Sequence, residues 1–154
     1  MAKNKADVKE ASGKEWYYSQ IVKKHFFNPR NFIVNEPKKG EYDAEGEVGK
    51  SVCGDVMRVW ISVDSGTQKI KKFGWKTFGC ASAIAATSIL SEIVTEKGGM
   101  KIDKAYKITP REITARLGGL PLRKIHCSVL GDEALRTAID NYKKSHRAIR
   151  AVKP

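Results

Sequence analysis

Long apolar runs and a leader-like start are both missing from this chain of 154 residues. No apolar stretch approaches the roughly 20 residues of a membrane span, so we expect no membrane association. The first residues lack the apolar segment of a secretory signal, and no arginine precedes Arg30, which is unlike a mitochondrial transit peptide. These absences together predict a cytoplasmic protein.

Cysteine is scarce as well, with only Cys53, Cys80 and Cys127 in the chain. An odd number of thiols in a reducing compartment argues against disulfides and favours metal ligands or reactive thiols. Each of the three stands at the edge of a predicted helix or strand, which is unlike a cysteine that only fills a core.

Acidic residues are outnumbered, with 17 Asp and Glu against 29 Lys and Arg and a net charge of +12. Such an excess is typical of nucleic-acid-binding proteins, but no nucleic-acid motif accompanies it. We therefore expect no nucleic-acid partner and interpret the charge as solvated helix faces and a basic tail. An acidic protein partner remains an alternative.

The hydrophobic patterns predict an α+β fold, in which a small antiparallel sheet of about three strands packs against several helices, including N- and C-terminal ones. Residues 56–63 and 69–78 alternate as two strands joined by a short turn, and a further strand is expected around 42–48. The first helix is expected to begin at Ser12 or Gly13.

Further signals predict the remaining helices. Residues 81–97 are apolar almost all round, which indicates a buried helix. Thr109, Pro110 and Glu112 form a capping signal for another helix, and the last helix is expected to begin near Cys127. We expect a flexible N-terminal tail at 1–14, one domain at 15–147 and a basic C-terminal tail at 148–154.

The predicted elements draw the cysteines toward one site. Cys80 stands between a strand and a helix, where the helix dipole favours the thiolate. Cys53 precedes the first strand of the hairpin, so it is expected at the same end of the sheet. Asp55 and His126 add a carboxylate and an imidazole beside Cys53 and Cys127, and Lys124 is a nearby cation. These donors suit zinc or an iron–sulfur cluster, and composition does not choose between them.

Two other functions use the same residues. A Cys127–His126 nucleophile pair would make the protein an enzyme, but adjacent side chains rarely act on one another and no oxyanion loop is evident. A zinc-binding interaction module without cluster chemistry is the second alternative.

Four stretches resemble the U-type iron–sulfur cluster scaffolds, the IscU family, whose fold also forms the N-terminal domain of NifU. They are His25-Phe26-Phe27-Asn28-Pro29-Arg30-Asn31, Cys53-Gly54-Asp55-Val56-Met57, Thr77-Phe78-Gly79-Cys80-Ala81-Ser82-Ala83-Ile84-Ala85 and Lys124-Ile125-His126-Cys127-Ser128. The similarity extends from about residue 16 to 145.

The resemblance implies a scaffold that is not an enzyme. It would assemble a 2Fe–2S cluster from iron and desulfurase-derived persulfide sulfur and transfer it to apo-protein acceptors. By motif, Cys53, Asp55, Cys80, His126 and Cys127 would bind the cluster, iron or zinc. Asp55 would be the labile ligand, Cys127 the persulfide acceptor and Lys124 a charge partner.

The resemblance also implies partners. A cysteine desulfurase would supply sulfur, and a frataxin-like iron donor and a ferredoxin are further partners of the family. Members of the family usually present Leu-Pro-Pro-Val-Lys to an Hsp70 chaperone with its J-type partner. Here the connector is Leu120-Pro121-Leu122-Arg123-Lys124, a departure that argues against chaperone-driven transfer.

Overall fold

A three-stranded antiparallel sheet lies at the centre of the fold. The computed structural model describes residues 8–9, 15–16, 18–50, 55–120 and 129–152. The sheet has the order β3–β4–β5, and a separate antiparallel pair, β1 with β2, precedes it. The strands are β1 (Val8–Lys9), β2 (Glu15–Trp16), β3 (Ala44–Lys50), β4 (Asp55–Val63) and β5 (Ile70–Phe78).

The alternation in β4 explains why the sheet has one buried face. Met57, Val59 and Ile61 are fully buried on it, while Arg58 and Ser62 point away. The turn to β5 is held by Asp64, whose carboxylate accepts a hydrogen bond of 2.7 Å from the Thr67 hydroxyl. The predicted hairpin and the predicted α+β class are both confirmed.

Five α-helices complete the described part of the chain. They are α1 (Gln20–Phe27), α2 (Ala81–Thr95), α3 (Ile102–Tyr106), α4 (Pro110–Arg116) and α5 (Val129–Val152). Within the described ranges, no helix is both long enough and apolar enough to cross a membrane.

Two helix starts show how local sequence acts. The capping box at α4 is confirmed, because the Thr109 hydroxyl accepts from the Glu112 N–H and the Glu112 carboxylate accepts from the Thr109 N–H. The predicted start of the first helix at Ser12 or Gly13 is wrong. Residues 15–16 pair as a strand, and the Ser19 hydroxyl caps α1 by accepting from the Val22 N–H at 3.1 Å.

The core lies between the sheet and the helices α2 and α5. Most side chains of α2 are buried, as its pattern predicts, and α5 crosses β3 and β4. Gly46 of β3 allows this crossing, since a Cβ there would overlap the Ala134 carbonyl oxygen and the Ala138 nitrogen of α5. Helix α5 continues through Val152, into the segment 148–154 that was expected as a tail.

Candidate functional site

Cys80 is the one predicted ligand whose side chain the structure describes. It is the N-cap residue of α2, two residues after the end of β5, with extended backbone angles of φ −78° and ψ 169°. Its carbonyl accepts the first helical hydrogen bond, from the Ile84 N–H at 3.1 Å. The side chain is half-buried against the core and does not cap the helix, so it keeps a partly accessible position at the helix start.

The electrostatic setting of Cys80 comes from the helix itself. The first turn of α2 contains no acidic side chain that would oppose a thiolate. The N–H groups of that turn and the helix dipole favour negative charge at this point. The start of α2 therefore favours the thiolate form of Cys80, which is the form in which a thiol binds metal.

Asp55 begins the strand β4 at the same end of the sheet. Its backbone pairs with Lys50, and the next residue, Val56, pairs with Phe78 of β5. The Thr77 hydroxyl donates a 2.7 Å hydrogen bond to the Val56 carbonyl, which fixes the start of β4 against the end of β5. The hairpin thus brings the backbones of Asp55 and Cys80 to the same end of the sheet. Asp55 directly precedes the Val56–Phe78 pair, and Cys80 is two residues beyond it.

The start of α5 packs on α2, the helix that follows Cys80. A Cβ on Gly131 would lie 2.8 Å from the Thr87 hydroxyl oxygen, so the two backbones approach closely there. Thr87 is seven residues after Cys80, or roughly 10 Å along the helix axis. Val129, the first residue of α5, follows Cys127 by two positions.

Several predicted ligands fall outside this description. Cys53 lies outside the described residues, as do Lys124, His126 and Cys127, and for Asp55 the structure describes the backbone alone. Among the described side chains, no group of three or more His, Cys, Asp and Glu residues is arranged to hold a metal. The five-residue ligand set therefore stays a prediction from the sequence.

His25 belongs to the packing of α1 on α2. The ring is buried, with its Nδ1 2.7 Å from the Ser88 hydroxyl and its Nε2 3.8 Å from the Glu92 carboxylate. The Arg30 N–H donates to the same Ser88 hydroxyl at 2.8 Å. Burial is the main cause that lowers the pKa of His25, against the opposing effect of Glu92.

The sequence reasoning missed the burial of Asp132. This carboxylate lies in the first turn of α5 with 1% of its surface exposed, paired at 3.1 Å with Arg136. Burial raises the pKa of Asp132 to about 6, although the Arg136 guanidinium opposes the shift. The i, i+4 spacing of the two residues was the available signal, but that spacing is equally common on solvated helix faces.

Comparison with known proteins identifies relatives over most of the chain. Residues 17–148 match the family of the NifU-like N terminal domain. The chain is 45% identical over 128 residues to the nitrogen fixation protein NifU of Azotobacter chroococcum mcd 1, covering 83% of this chain and 39% of that protein. It is 43% identical over 125 residues to the iron-sulfur cluster assembly scaffold protein IscU of Aquifex aeolicus, covering 81% of this chain and 75% of that protein.

Solved structures share the fold. A NifU-like N-terminal protein from Brucella abortus superposes with a TM-score of 0.58 at 16% identity, over 82% of this chain and 94% of that one. The chain spans about two fifths of the NifU proteins that it matches, and 75% to 83% of the IscU proteins from Aquifex aeolicus and Archaeoglobus fulgidus.

Proposed function

Because the chain belongs to the NifU-like N-terminal domain family, we propose that it is a scaffold on which an iron–sulfur cluster is assembled and then passed to acceptor proteins. The observation that carries this proposal is the similarity to proteins named IscU scaffolds, at 41% to 43% identity over most of both chains. The domain that performs the function would be residues 15–147.

The cluster is cargo in this proposal, and its binding residues are Cys53, Asp55, Cys80, His126 and Cys127. Thiolates with one imidazole and one carboxylate form a donor set that suits iron and zinc alike. The position of Cys80 supports the proposal, since a half-buried thiol at a helix N-terminus is stabilised as the anion and remains open on one side.

Release of the cluster would depend on Asp55. A carboxylate is a harder and more exchangeable ligand for iron than a thiolate, so one oxygen ligand among sulfur ligands weakens the grip on the cluster. The backbone of Asp55 pairs with Lys50 at the start of β4. This is the end of the sheet at which β5 leads to Cys80. A fixed strand start would keep the carboxylate near the site after the cluster has left.

Assembly rather than turnover is the role proposed for the chain, so it would not be an enzyme. Sulfur would arrive as a persulfide on Cys127 from a cysteine desulfurase, in the cytoplasm where the thiols stay reduced. The cluster would be of the 2Fe–2S type, with zinc able to occupy the same residues. The changed connector at 120–124 argues against a dedicated Hsp70 step.

The test is assembly and transfer under strictly anaerobic conditions. The full chain, its Asp55→Ala variant and a control Asp140→Ala are incubated with ferrous iron, cysteine, a desulfurase and dithiothreitol, which reduces persulfide sulfur to sulfide, and then mixed with an apo-ferredoxin. We expect visible absorbance and labile sulfide in all three proteins, and transfer slowed roughly tenfold or more in Asp55→Ala alone. Asp140 is exposed at the surface of α5, so its loss should leave transfer unchanged.

One result would count against the scaffold function, and another against the role of Asp55 in release. Zinc without labile sulfide after reconstitution would favour the interaction module that binds zinc and carries no cluster. Cluster formation with equal transfer rates in all three proteins would leave the scaffold function standing and remove Asp55 from its role in release.

A further inference from the structure

A groove opens where the last turns of α2 meet α3 and α4. Its volume is about 260 Å³, and Ile93, Met100 and Ile108 form its apolar base. Ile93 and Ile108 belong to the buried core, and Met100 is half-buried against it. A cavity of about 150 Å³ already holds a group the size of benzene, so this α3–α4 groove has room for a bulky apolar side chain.

The rim of the α3–α4 groove is basic. Lys104, Lys107 and Arg116 line it beside a single carboxylate, Glu112. Arg116 already has a partner, since its two terminal nitrogens lie 3.1 and 3.2 Å from the Glu96 carboxylate oxygens. Lys104 and Lys107 are exposed, and within the described ranges neither ammonium group forms an ion pair.

Neighbouring acids offset only part of this charge. The Glu112 carboxylate accepts from the Thr109 N–H at 2.8 Å in the capping box of α4. Asp103 of α3 pairs with Lys143 of α5 at 2.9 Å. The lining thus contains three cations and one carboxylate, and among the described residues its two lysines form no ion pair above the apolar base.

The apolar base and the net positive rim together indicate which kind of occupant would fit the groove. A small inorganic anion would use the lysines but leave the apolar base wet. A single-stranded nucleic acid would stack its bases on aromatic side chains, and none of the residues that line the groove is aromatic. A peptide with carboxylates on either side of a bulky apolar residue satisfies both features.

The groove is well separated from the candidate cluster site. Ile93 is 13 residues beyond Cys80 in the sequence, at the other end of α2, which corresponds to roughly 20 Å along the helix. A partner bound in the groove would leave the end of the sheet near Cys80 and Asp55 uncovered.

We propose that the α3–α4 groove is a docking site for an acidic segment of a partner protein. The segment inserts a bulky apolar side chain between Ile93, Met100 and Ile108, and its carboxylates face Lys104 and Lys107. This goes beyond the scaffold function and does not depend on it, because docking requires neither metal nor a cluster at Cys80.

The experiment measures binding of a fluorescein-labelled peptide, a run of glutamates interrupted by two leucines, to the full metal-free chain by fluorescence anisotropy. We expect Lys104→Glu/Lys107→Glu to weaken binding roughly tenfold or more, because attraction becomes repulsion at two positions. The matched control is Lys38→Glu/Lys39→Glu, which makes the same change of charge at two exposed loop residues and should alter affinity less than about twofold.

A second probe isolates the apolar base. The same peptide with serines in place of leucines should bind roughly tenfold more weakly to the unchanged chain, since the leucine side chain that fills the groove is lost. Should the double glutamate variant fail to fold, Lys104→Gln/Lys107→Gln gives the same comparison without repulsion.

Three outcomes would overturn the proposal. Equal weakening by the two double variants would mean that the peptide is attracted by the net charge alone. Equal binding of the leucine and serine peptides would remove the apolar base from recognition. Tighter binding of a labelled single-stranded oligothymidylate than of the leucine peptide, dependent on Lys104 and Lys107, would assign the surface to nucleic acid.

Discussion

Asp132 and His25 are buried titratable residues whose pKa values shift in opposite directions. Burial favours the neutral form of each, which raises the pKa of Asp132 to about 6 and lowers that of His25. Asp132 is five residues beyond Cys127, in the first turn of α5. The folded state therefore holds more protons on Asp132, and fewer on His25, than the unfolded chain does at mildly acidic pH.

The sign of the Asp132 effect follows from this difference. Its folded pKa lies above the ordinary 3.8, so its stabilising contribution is fully present below pH 3.8 and is lost as the pH rises through about 6. We expect the free energy of unfolding of the unchanged chain to fall by about 1 kcal/mol more between pH 5 and 7 than that of Asp132→Asn, in which the side chain is neutral throughout.

Urea unfolding at the two pH values measures this effect, with the exposed Asp140→Asn as the control. The His25 contribution has the opposite sign, since it is present above the ordinary pKa of histidine and is lost as the pH falls, but it is common to all three proteins. Parallel changes in all three proteins would show that Asp132 ionises as an exposed carboxylate does.

At the scale of elements, the contact of β3 with α5 depends on the absence of a side chain. Gly46 faces the backbone of α5 at Ala134 and Ala138 so closely that a methyl group would overlap both. The Asn141 amide continues the same contact by donating to the Glu45 carbonyl at 2.7 Å. These contacts hold α5 directly against the backbone of β3.

We expect Gly46→Ala to lower the free energy of unfolding by about 2–3 kcal/mol, because the helix must move away from the strand. Gly66→Ala is the matched control, as a Cβ there would lie 3.9 Å from its nearest neighbour, the Asp64 carboxylate, and should change stability little. Chemical denaturation followed by circular dichroism compares the two variants. An equally small loss for both would mean that α5 and β3 can separate at little cost.

For the whole molecule, a metal bound at the candidate site would couple binding to folding. A ligand that binds only the folded state stabilises it by about 2.7 kcal/mol at a concentration 100-fold above Kd. Cys80 is the N-cap of the most buried helix, so a metal bound to its thiolate acts on an element that packs against α1, α4, α5 and β5.

We expect zinc to raise the midpoint of thermal unfolding of the metal-free chain by several degrees, and Cys80→Ser to lose most of that rise. Magnesium is the control cation, because it prefers oxygen ligands and should have little effect on either protein. Differential scanning calorimetry with and without a chelator gives the measurement. A zinc effect of the same size in Cys80→Ser would remove this thiol from the metal site.

Much of the fold was predictable because its signals are local. The alternation in β4 and β5, the apolar pattern of α2 and the capping box at Thr109 each depend on residues within a few positions of one another. The start of the first helix was predicted wrongly at Ser12 or Gly13. Residues 15–16 form β2, and its pairing with β1 outweighed a weak helix signal.

The sequence by itself determined the cysteines, the carboxylate and the motifs around them, and with these the family. It also determined the hairpin that brings Asp55 and Cys80 to one end of the sheet, because two alternating runs joined by a short turn pair as antiparallel strands. The tertiary structure alone decided that Asp132 is buried, that the ring of His25 meets Ser88, and that Ile93, Met100 and Ile108 share a groove. Those features arise where elements distant in the sequence pack together, and a helical or strand pattern indicates that a face is covered without indicating by what.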